Sequence, residues 1–309
     1  MFKKLFLTGV AGLILLVCLG FLNWTHPAFD TISHFRLHLS AGLMVCTVLL
    51  TGFGKFRFAV VTLSAAAIGI WFAADGTRLT ERTIQAAEGK PVYTMFHFNL
   101  LWLNRKKQHV INRILEIDPD IISLSEASTQ WKPALRKLES RWKFNAHCPE
   151  WHVRGGVRIY SRWPLDHSED FCGEYGSFLR TKAVLGNKER ITVGSVHTRW
   201  PWPASGPRQV ENLVPEIAKT GPDALITGDF NATTWSWSVQ RFAAAGNLRI
   251  HSGIGGTWIF GALPKPVVNT IGLPIDNVMT KGRIRVLSVK TLEEMGSDHL
   301  PLLVSFQVQ

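Results

Sequence analysis

Cysteine is scarce in this 309-residue chain: Cys18, Cys46, Cys148 and Cys172 are the only four, and none stands at the short spacing that a zinc site requires. A structural zinc module is thereby excluded. Cys18 and Cys46 lie in apolar runs, whereas Cys148 and Cys172 lie in polar sequence and would pair if that part met an oxidising compartment. Acidic side chains are also short, 23 against 34 Lys and Arg, for a formal net charge of +11. That balance suits anionic surroundings such as phospholipid headgroups, nucleic acid or phosphorylated substrates. It equally suits a membrane protein with basic cytoplasmic loops. No internal repeat and no low-complexity tract is present. The first apolar run also lacks a small-x-small pattern at residues 21–24, so a retained anchor is expected rather than a cleaved signal peptide.

Apolar length is abundant at the N-terminus. Runs at about 5–22, 37–53 and 58–74 carry almost no charge, and each approaches the length needed to cross a bilayer. Ala41, Gly42, Ser64, Ala65, Ala66, Ala67 and Gly69 would allow close helix packing in lipid. The expectation is a three-helix membrane anchor over residues 1–74. Lys3, Lys4, Lys55 and Arg57 fall on one side, and the loop on the other side offers only Arg36, at its membrane edge. The positive-inside rule then sends everything after residue 74 across the membrane. Within the first loop, His26, Asp30 and His34 suggest a metal site, but their loose spacing favours a solvated loop with an interfacial Trp24. Residues 75–91 read as a linker.

From residue 92 the pattern changes to short β-rich runs with helical interruptions. Strands are predicted at 92–98, 121–124, 156–160, 178–185, 191–196, 224–226, 284–289 and 300–308, and helices at 108–117, 131–138 and 208–219. Alternating strands and helices followed by strand pairs imply an α/β or α+β domain with a central sheet over 92–309. Chemistry-bearing residues stand at the ends of these strands: Asn99, Glu126, His197, Asp229 with Asn231, Asp276, and Asp298 with His299. In an extended chain Asp229 and Asn231 share a face, and a carboxylate beside a carboxamide suits a hard cation and a phosphate oxygen. Each of these residues alone has an ordinary structural reading as a cap, turn or core group. Their joint recurrence at strand ends argues for one site.

In this order, Asn99, Leu124-Ser125-Glu126, the run 156–165, His197, Gly228-Asp229-Phe230-Asn231, Ile275-Asp276 and Ser297-Asp298-His299 resemble the endonuclease/exonuclease/phosphatase family, over roughly residues 92–309. The resemblance implies a DNase I-like four-layer αββα sandwich, a divalent cation, Mg2+ or Mn2+, and hydrolysis of a phosphate ester. It implies Glu126, Asp298 and Asn99 near the metal, and Asn231 and Asn99 on the phosphate. Asp229 would act on the attacking water, with His299 oriented by Asp276 and His197 as a second acid–base group. The sequence departs from the family pattern at Ser125, Arg158 and Asn277, none of which removes a catalytic group. The expected activity is a phosphodiesterase, nuclease-like, at a multi-pass inner membrane with its domain on the periplasmic side. The alternatives are a lipid-directed hydrolase, sphingomyelinase-like or phosphoinositide phosphatase-like, and an inactive ligand-binding descendant. The partners implied are the bilayer and a nucleic acid or lipid-headgroup substrate.

Overall fold

A computed structural model describes residues 2–77, 84–149 and 154–309. Four helices come first: α1 (Phe2–Gly20), α2 (Pro27–His34), α3 (Arg36–Gly52) and α4 (Phe56–Thr77). Next come β1 (Tyr93–Asn99), α5 (Lys107–Ile117), β2 (Ile121–Ala127), the short α6 (Lys132–Leu135), β3 (Phe144–His147), β4 (Gly156–Ser161), β5 (Leu165–Cys172), β6 (Phe178–Val184) and β7 (Arg190–His197). The chain ends with α7 (Gly206–Ile217), β8 (Ala224–Asp229), α8 (Trp237–Gly246), β9 (Arg249–His251), α9 (Lys265–Ile271), β10 (Asp276–Lys281), β11 (Ile284–Thr291) and β12 (Leu302–Val308).

Among the described residues the strands form two six-stranded sheets, ordered β11-β12-β1-β2-β4-β3 and β5-β6-β7-β8-β10-β9. Strand alternation builds the layers. On β1, Met95 faces the second sheet, in a core with Ile121, Ile159, Val193, Leu225 and Val304. Its neighbours Phe96 and Phe98 face the other way, onto α5 and Trp131. On the far side Phe178, Val196 and Ile226 pack against Val210, Leu213 and Phe242 of α7 and α8. The result is a mixed α/β two-sheet sandwich with helices on both outer faces. Towards one end the space between the sheets turns polar. Ser123 Oγ donates to Ser195 Oγ at 2.8 Å, and Ser125 Oγ donates to the Val196 carbonyl at 3.2 Å.

The β3, β5, β9, α8 and α9 elements escape the sequence reading. β5 shows why: its middle is exposed and charged, and its register against β6 slips between Asp166 and Phe171, so no two-residue alternation is visible. The predicted helix at 131–138 is instead three short turns that join 3₁₀ and α geometry. The linker expected at 75–91 is shortened at both ends. α4 continues to Thr77, while Ile84 N donates to the Leu287 carbonyl and Ala87 N donates to Gln307 Oε1. Residues 78–83 lie outside the described part.

Cys148 and Cys172 form a disulfide that joins the ends of β3 and β5, with their Cα atoms 5.4 Å apart. Replacing both by serine is expected to lower stability by about 2–4 kcal/mol, because the unfolded chain regains the freedom of the closed loop. Denaturant midpoints with and without reductant check this: a reductant-dependent drop in the parent, absent from the double serine variant.

The N-terminal segment narrows one expectation and corrects another. Among the described residues, only Phe56–Ala73 is by itself long and apolar enough to cross a membrane; α2 and α3 reach that length as a pair bent by 62°, and the apolar part of α1, Lys4–Gly20, is shorter. Residues 23–36 are not a solvated loop either. α2 begins at Pro27, with the His26 ring accepting from Ala28 N, and its face is buried against the sandwich. Asp30, with 0% exposure, accepts from Trp237 N, Ser238 N and the hydroxyls of Ser236 and Ser238. It thereby caps α8 from another element, satisfying donors a helix start leaves open. Ser33 O accepts from Trp235 Nε1, the Thr31 hydroxyl bonds Trp202 N and O, and His34 packs on Trp200 with rings 5.4 Å apart. The residues suggestive of a metal site thus form a joint between the two parts of the chain. The polar docking partners are far away in sequence, which is why spacing alone did not reveal them.

Candidate active site

All eight residues singled out from sequence meet at the polar end of the sandwich. Seven line one cleft of about 580 Å³, together with Arg154, Tyr175, Arg199, Trp200 and Trp258. The eighth, Asp276, is buried directly behind His299.

The centre is the β8 terminus. β7 and β8 run parallel with His197 opposite Asp229, and antiparallel β10 sets Asp276 on the other side of Asp229. Gly228 is required there, since a Cβ would stand 2.4 Å from the Val196 carbonyl. The strand then ends. Asn231 adopts φ 47°, its N–H donates to Asp229 Oδ1 at 2.7 Å, and its amide reaches the Thr198 carbonyl at 2.8 Å. Asp229 and Asn231 therefore converge through an Asx turn with a left-handed second residue, not through the extended alternation expected from sequence.

Asn99, at the end of β1, donates to Asp229 Oδ2 at 2.8 Å. Glu126 is aimed by a local irregularity: the register of β2 against β4 shifts between Leu124 and Ala127, and Glu126 takes φ 54°. A non-glycine residue in that region costs about 1–3 kcal/mol and persists only where its surroundings enforce it. Its Oε2 accepts from Trp102 N at 2.9 Å, while its Oε1 lies 3.8 Å from the His197 ring. The Glu126 carboxylate, the Asn99 amide oxygen and Asp298 are hard oxygen donors facing the cleft.

His299 stands between two acids. Its Nδ1 lies 2.8 Å from Asp276 Oδ2 and its Nε2 lies 3.6 Å from Asp229 Oδ2. Burial alone would lower its pKa, but the charges of Asp276 and Asp229 outweigh burial and push it up to about 10. Burial likewise acts to raise Asp276, yet the opposing His299 charge, and hydrogen bonds from His299 and His97, hold that carboxyl well below the usual range. Asp229 goes the other way: burial raises its pKa, and the Asp276 charge adds to the rise. One acid is thus held ionised, the imidazole is held protonated, and the second acid has enhanced proton affinity. Asp229, Asp276 and His299 lie close enough for their atoms to share an ion, within 4.8 Å of one another. An imidazolium has no free lone pair, however, so this triad is better suited to proton transfer than to ligation.

Two members of the site have no counterpart in the sequence reading. His97 is fully buried, with Nε2 3.2 Å from Asp276 Oδ1 and Nδ1 3.2 Å from Ser123 Oγ, so it holds Asp276 from behind. The signal was available: His97 stands two residues before Asn99 on β1 and shares its face. Trp258 donates its indole N–H to Asp298 at 3.0 Å and packs on Trp200 at 5.4 Å; it comes from a loop with no periodicity to mark it.

Comparison with known proteins decides the family. The sequence profile described as Endonuclease/Exonuclease/phosphatase family matches residues 96–299. The chain belongs to the endonuclease/exonuclease/phosphatase family. As a member of it, the protein is a hydrolase acting on phosphate ester bonds. Solved structures agree with the fold. An endonuclease/exonuclease/phosphatase from Beutenbergia cavernae superposes with a TM-score of 0.54 at 15% identity, covering 70% of this chain and 72% of that one. The catalytic domain of human Nocturnin, with a bound sulfate, gives 0.53 at 18% identity, covering 71% and 94%. A double mutant of beta toxin from Staphylococcus aureus, with bound magnesium ions, gives 0.52 at 12% identity, covering 69% and 99%. No curated protein matches the chain in sequence. The family's fold thus occupies the part after the linker, and the four N-terminal helices precede the matched region.

Proposed function

We propose that the protein is a membrane-anchored, divalent-metal-dependent phosphodiesterase whose catalytic domain, residues 92–309, lies on the extracytoplasmic side of a bacterial inner membrane. The observation that carries the catalytic part is the Asp276–His299–Asp229 array beside Glu126, which supplies an ionised acid, an imidazolium and a proton-accepting acid in one cleft. Glu126, Asp298 and Asn99 are the residues that would hold Mg2+ or Mn2+. When bound, the ion supplies charge neutralisation for the phosphate. Asn231 and Asn99 would hold a phosphate oxygen, and Asp229 would take the proton of the attacking water. His299, kept protonated by Asp276, would donate to the leaving alcohol or to a phosphoryl oxygen. His197, with Nε2 3.6 Å from Asp229, would orient that acid and contact the phosphate.

Chelation is expected to abolish hydrolysis of bis-p-nitrophenyl phosphate by the full chain in detergent, and Mg2+ or Mn2+ to restore it. Glu126→Gln should need at least about tenfold more Mg2+ for half-maximal rate. An unchanged metal requirement would remove Glu126 from the ligand set.

The anchor reading takes α1, α3 and α4 as three crossings, residues 1–74. They pack through small residues: a Cβ on Gly69 would meet Ser40 Oγ at 2.2 Å. Their outward faces carry exposed Leu5, Val48, Trp71 and Phe72, as lipid-facing surfaces do. Arg36, the one Lys or Arg between the first and second crossings, donates to the Gly20 carbonyl at the end of α1. The Cys148–Cys172 disulfide favours an oxidising compartment. A periplasm-dependent reporter fused after residue 74 is expected to be active; activity of a cytoplasm-dependent reporter there would refute the orientation.

A further inference from the structure

The cleft is built against the N-terminal helices rather than away from them. Its loop at 199–204 carries Trp200, packed at a tilt on His34 of α2, and Trp202, whose backbone bonds Thr31 of α2. Its lining also includes Trp258, the first residue of a segment that runs through α9 to Gly272. Trp258 pairs with the backbone of His299 and packs beside its ring. Two residues later, about 7 Å along an extended chain, stands Phe260, 89% exposed. Leu263, Val267 and Ile271 continue an exposed apolar surface through α9.

The place of that surface is fixed by one contact. The Ile271 carbonyl lies 2.7 Å from Nε2 of His38, the third residue of α3. At a rise of 1.5 Å per residue, the contact lies about 3 Å from the start of the helix. The patch is therefore continuous with the apolar surface of α3, and Phe35, half-exposed, packs on the same His38 ring. A bilayer that receives α3 and α4 meets Phe260, Val267 and Ile271 at its interface. Trp24 and Trp202, both largely exposed, stand by the same joint, as aromatic residues do at a headgroup layer.

Resting on the reading that α3 and α4 span a bilayer, we infer that the substrate is a phosphodiester carried by a lipid of that same leaflet, presented to the cleft over the apolar lip of residues 258–272. The lip argues against a polynucleotide. A nucleic acid places phosphates on both sides of the scissile one and calls for cations along its track. Arg154 and Arg199 line the cleft itself, but the approach over residues 258–272 offers apolar side chains, and its one lysine, Lys265, is turned away to the Thr291 carbonyl. A duplex would also have to occupy space adjoining the membrane surface. In the reaction the oxygen of water bonds to phosphorus while the P–O bond to one alcohol breaks. The water proton goes to Asp229, and a proton from His299 goes to the departing alkoxide. The products are that free alcohol and the phosphomonoester.

The test uses the full chain reconstituted with Mg2+ in vesicles of phosphatidylethanolamine and phosphatidylglycerol, with bis-p-nitrophenyl phosphate and single- and double-stranded DNA as separate substrates. Release of diacylglycerol or phosphatidic acid from the vesicles is expected, and no cleavage of DNA. A Phe260→Ser/Ile271→Ser double variant should lose about tenfold in vesicle turnover, since it withdraws apolar surface from the interface. Its rate on bis-p-nitrophenyl phosphate should match the parent. Hydrolysis of bis-p-nitrophenyl phosphate without lipid turnover, cleavage of DNA in its place, or an equal effect of the double variant on both substrates would overturn the lipid assignment and leave the phosphodiesterase reading intact. No hydrolysis of any substrate would overturn both.

Discussion

Asp229→Asn is expected to lower kcat on bis-p-nitrophenyl phosphate by about 10²- to 10⁴-fold, the usual worth of a positioned general base. KM should move little. The carboxylate is buried at the end of β8, where burial raises its proton affinity, and His299 and His197 both stand 3.6 Å from Oδ2. Asparagine preserves the shape and removes the proton acceptor. In the parent Oδ2 accepts from the amides of Asn99 at 2.8 Å and Asn231 at 3.3 Å while Oδ1 accepts from Asn231 N at 2.7 Å; asparagine has one oxygen, so one of these two sets of donors loses its acceptor. The fall should therefore appear in kcat, measured at saturating Mg2+. A variant that keeps kcat and loses only KM would make Asp229 a binding group.

Asp276→Asn is expected to move the alkaline limb of the kcat/KM profile. In the parent, His299 titrates at about 10, above its ordinary value of 6.5. The imidazolium is thus retained through neutral pH, and a rate that needs it is lost only as pH rises through about 10. The same sign holds for stability: the Asp276–His299 pair contributes fully below the unfolded value of 6.5, and its contribution fades as pH climbs to about 10. Without the Asp276 charge and hydrogen bond, burial lowers the His299 pKa with only the Asp229 and Asp298 charges opposing it, and the limb should move to lower pH. At pH 9 the variant should be slower by more than about tenfold, and at pH 6 much closer to the parent. A uniform loss at every pH would mean that Asp276 supports the fold without setting the charge on His299.

Much of the sandwich was legible in the sequence, because buried strands such as β1, β2, β7 and β8 are apolar runs that end in chemistry-bearing residues. The site was legible for the same reason: Asn99, Glu126, His197 and Asp229 all terminate such runs, and pairing of the strands brings those ends together. What stayed hidden has physical causes. β5 is an exposed, bulged edge strand. The left-handed turn at Asn231 follows from side-chain capping, which periodicity does not register. The docking of α2 depends on Asp30 capping a helix that begins 207 residues later, at Trp237. Short polar residues around an isolated acid read as solvent-facing until a distant helix start supplies their partners.

The central claim is that this one cleft performs metal-dependent hydrolysis of a phosphodiester. The most direct measurement is turnover of bis-p-nitrophenyl phosphate by the full chain with Mg2+ or Mn2+, in parent, Asp229→Ala and His299→Ala proteins purified side by side. The account predicts metal-dependent turnover in the parent and its near-complete loss in both variants. Metal-dependent turnover that survives both substitutions would contradict it.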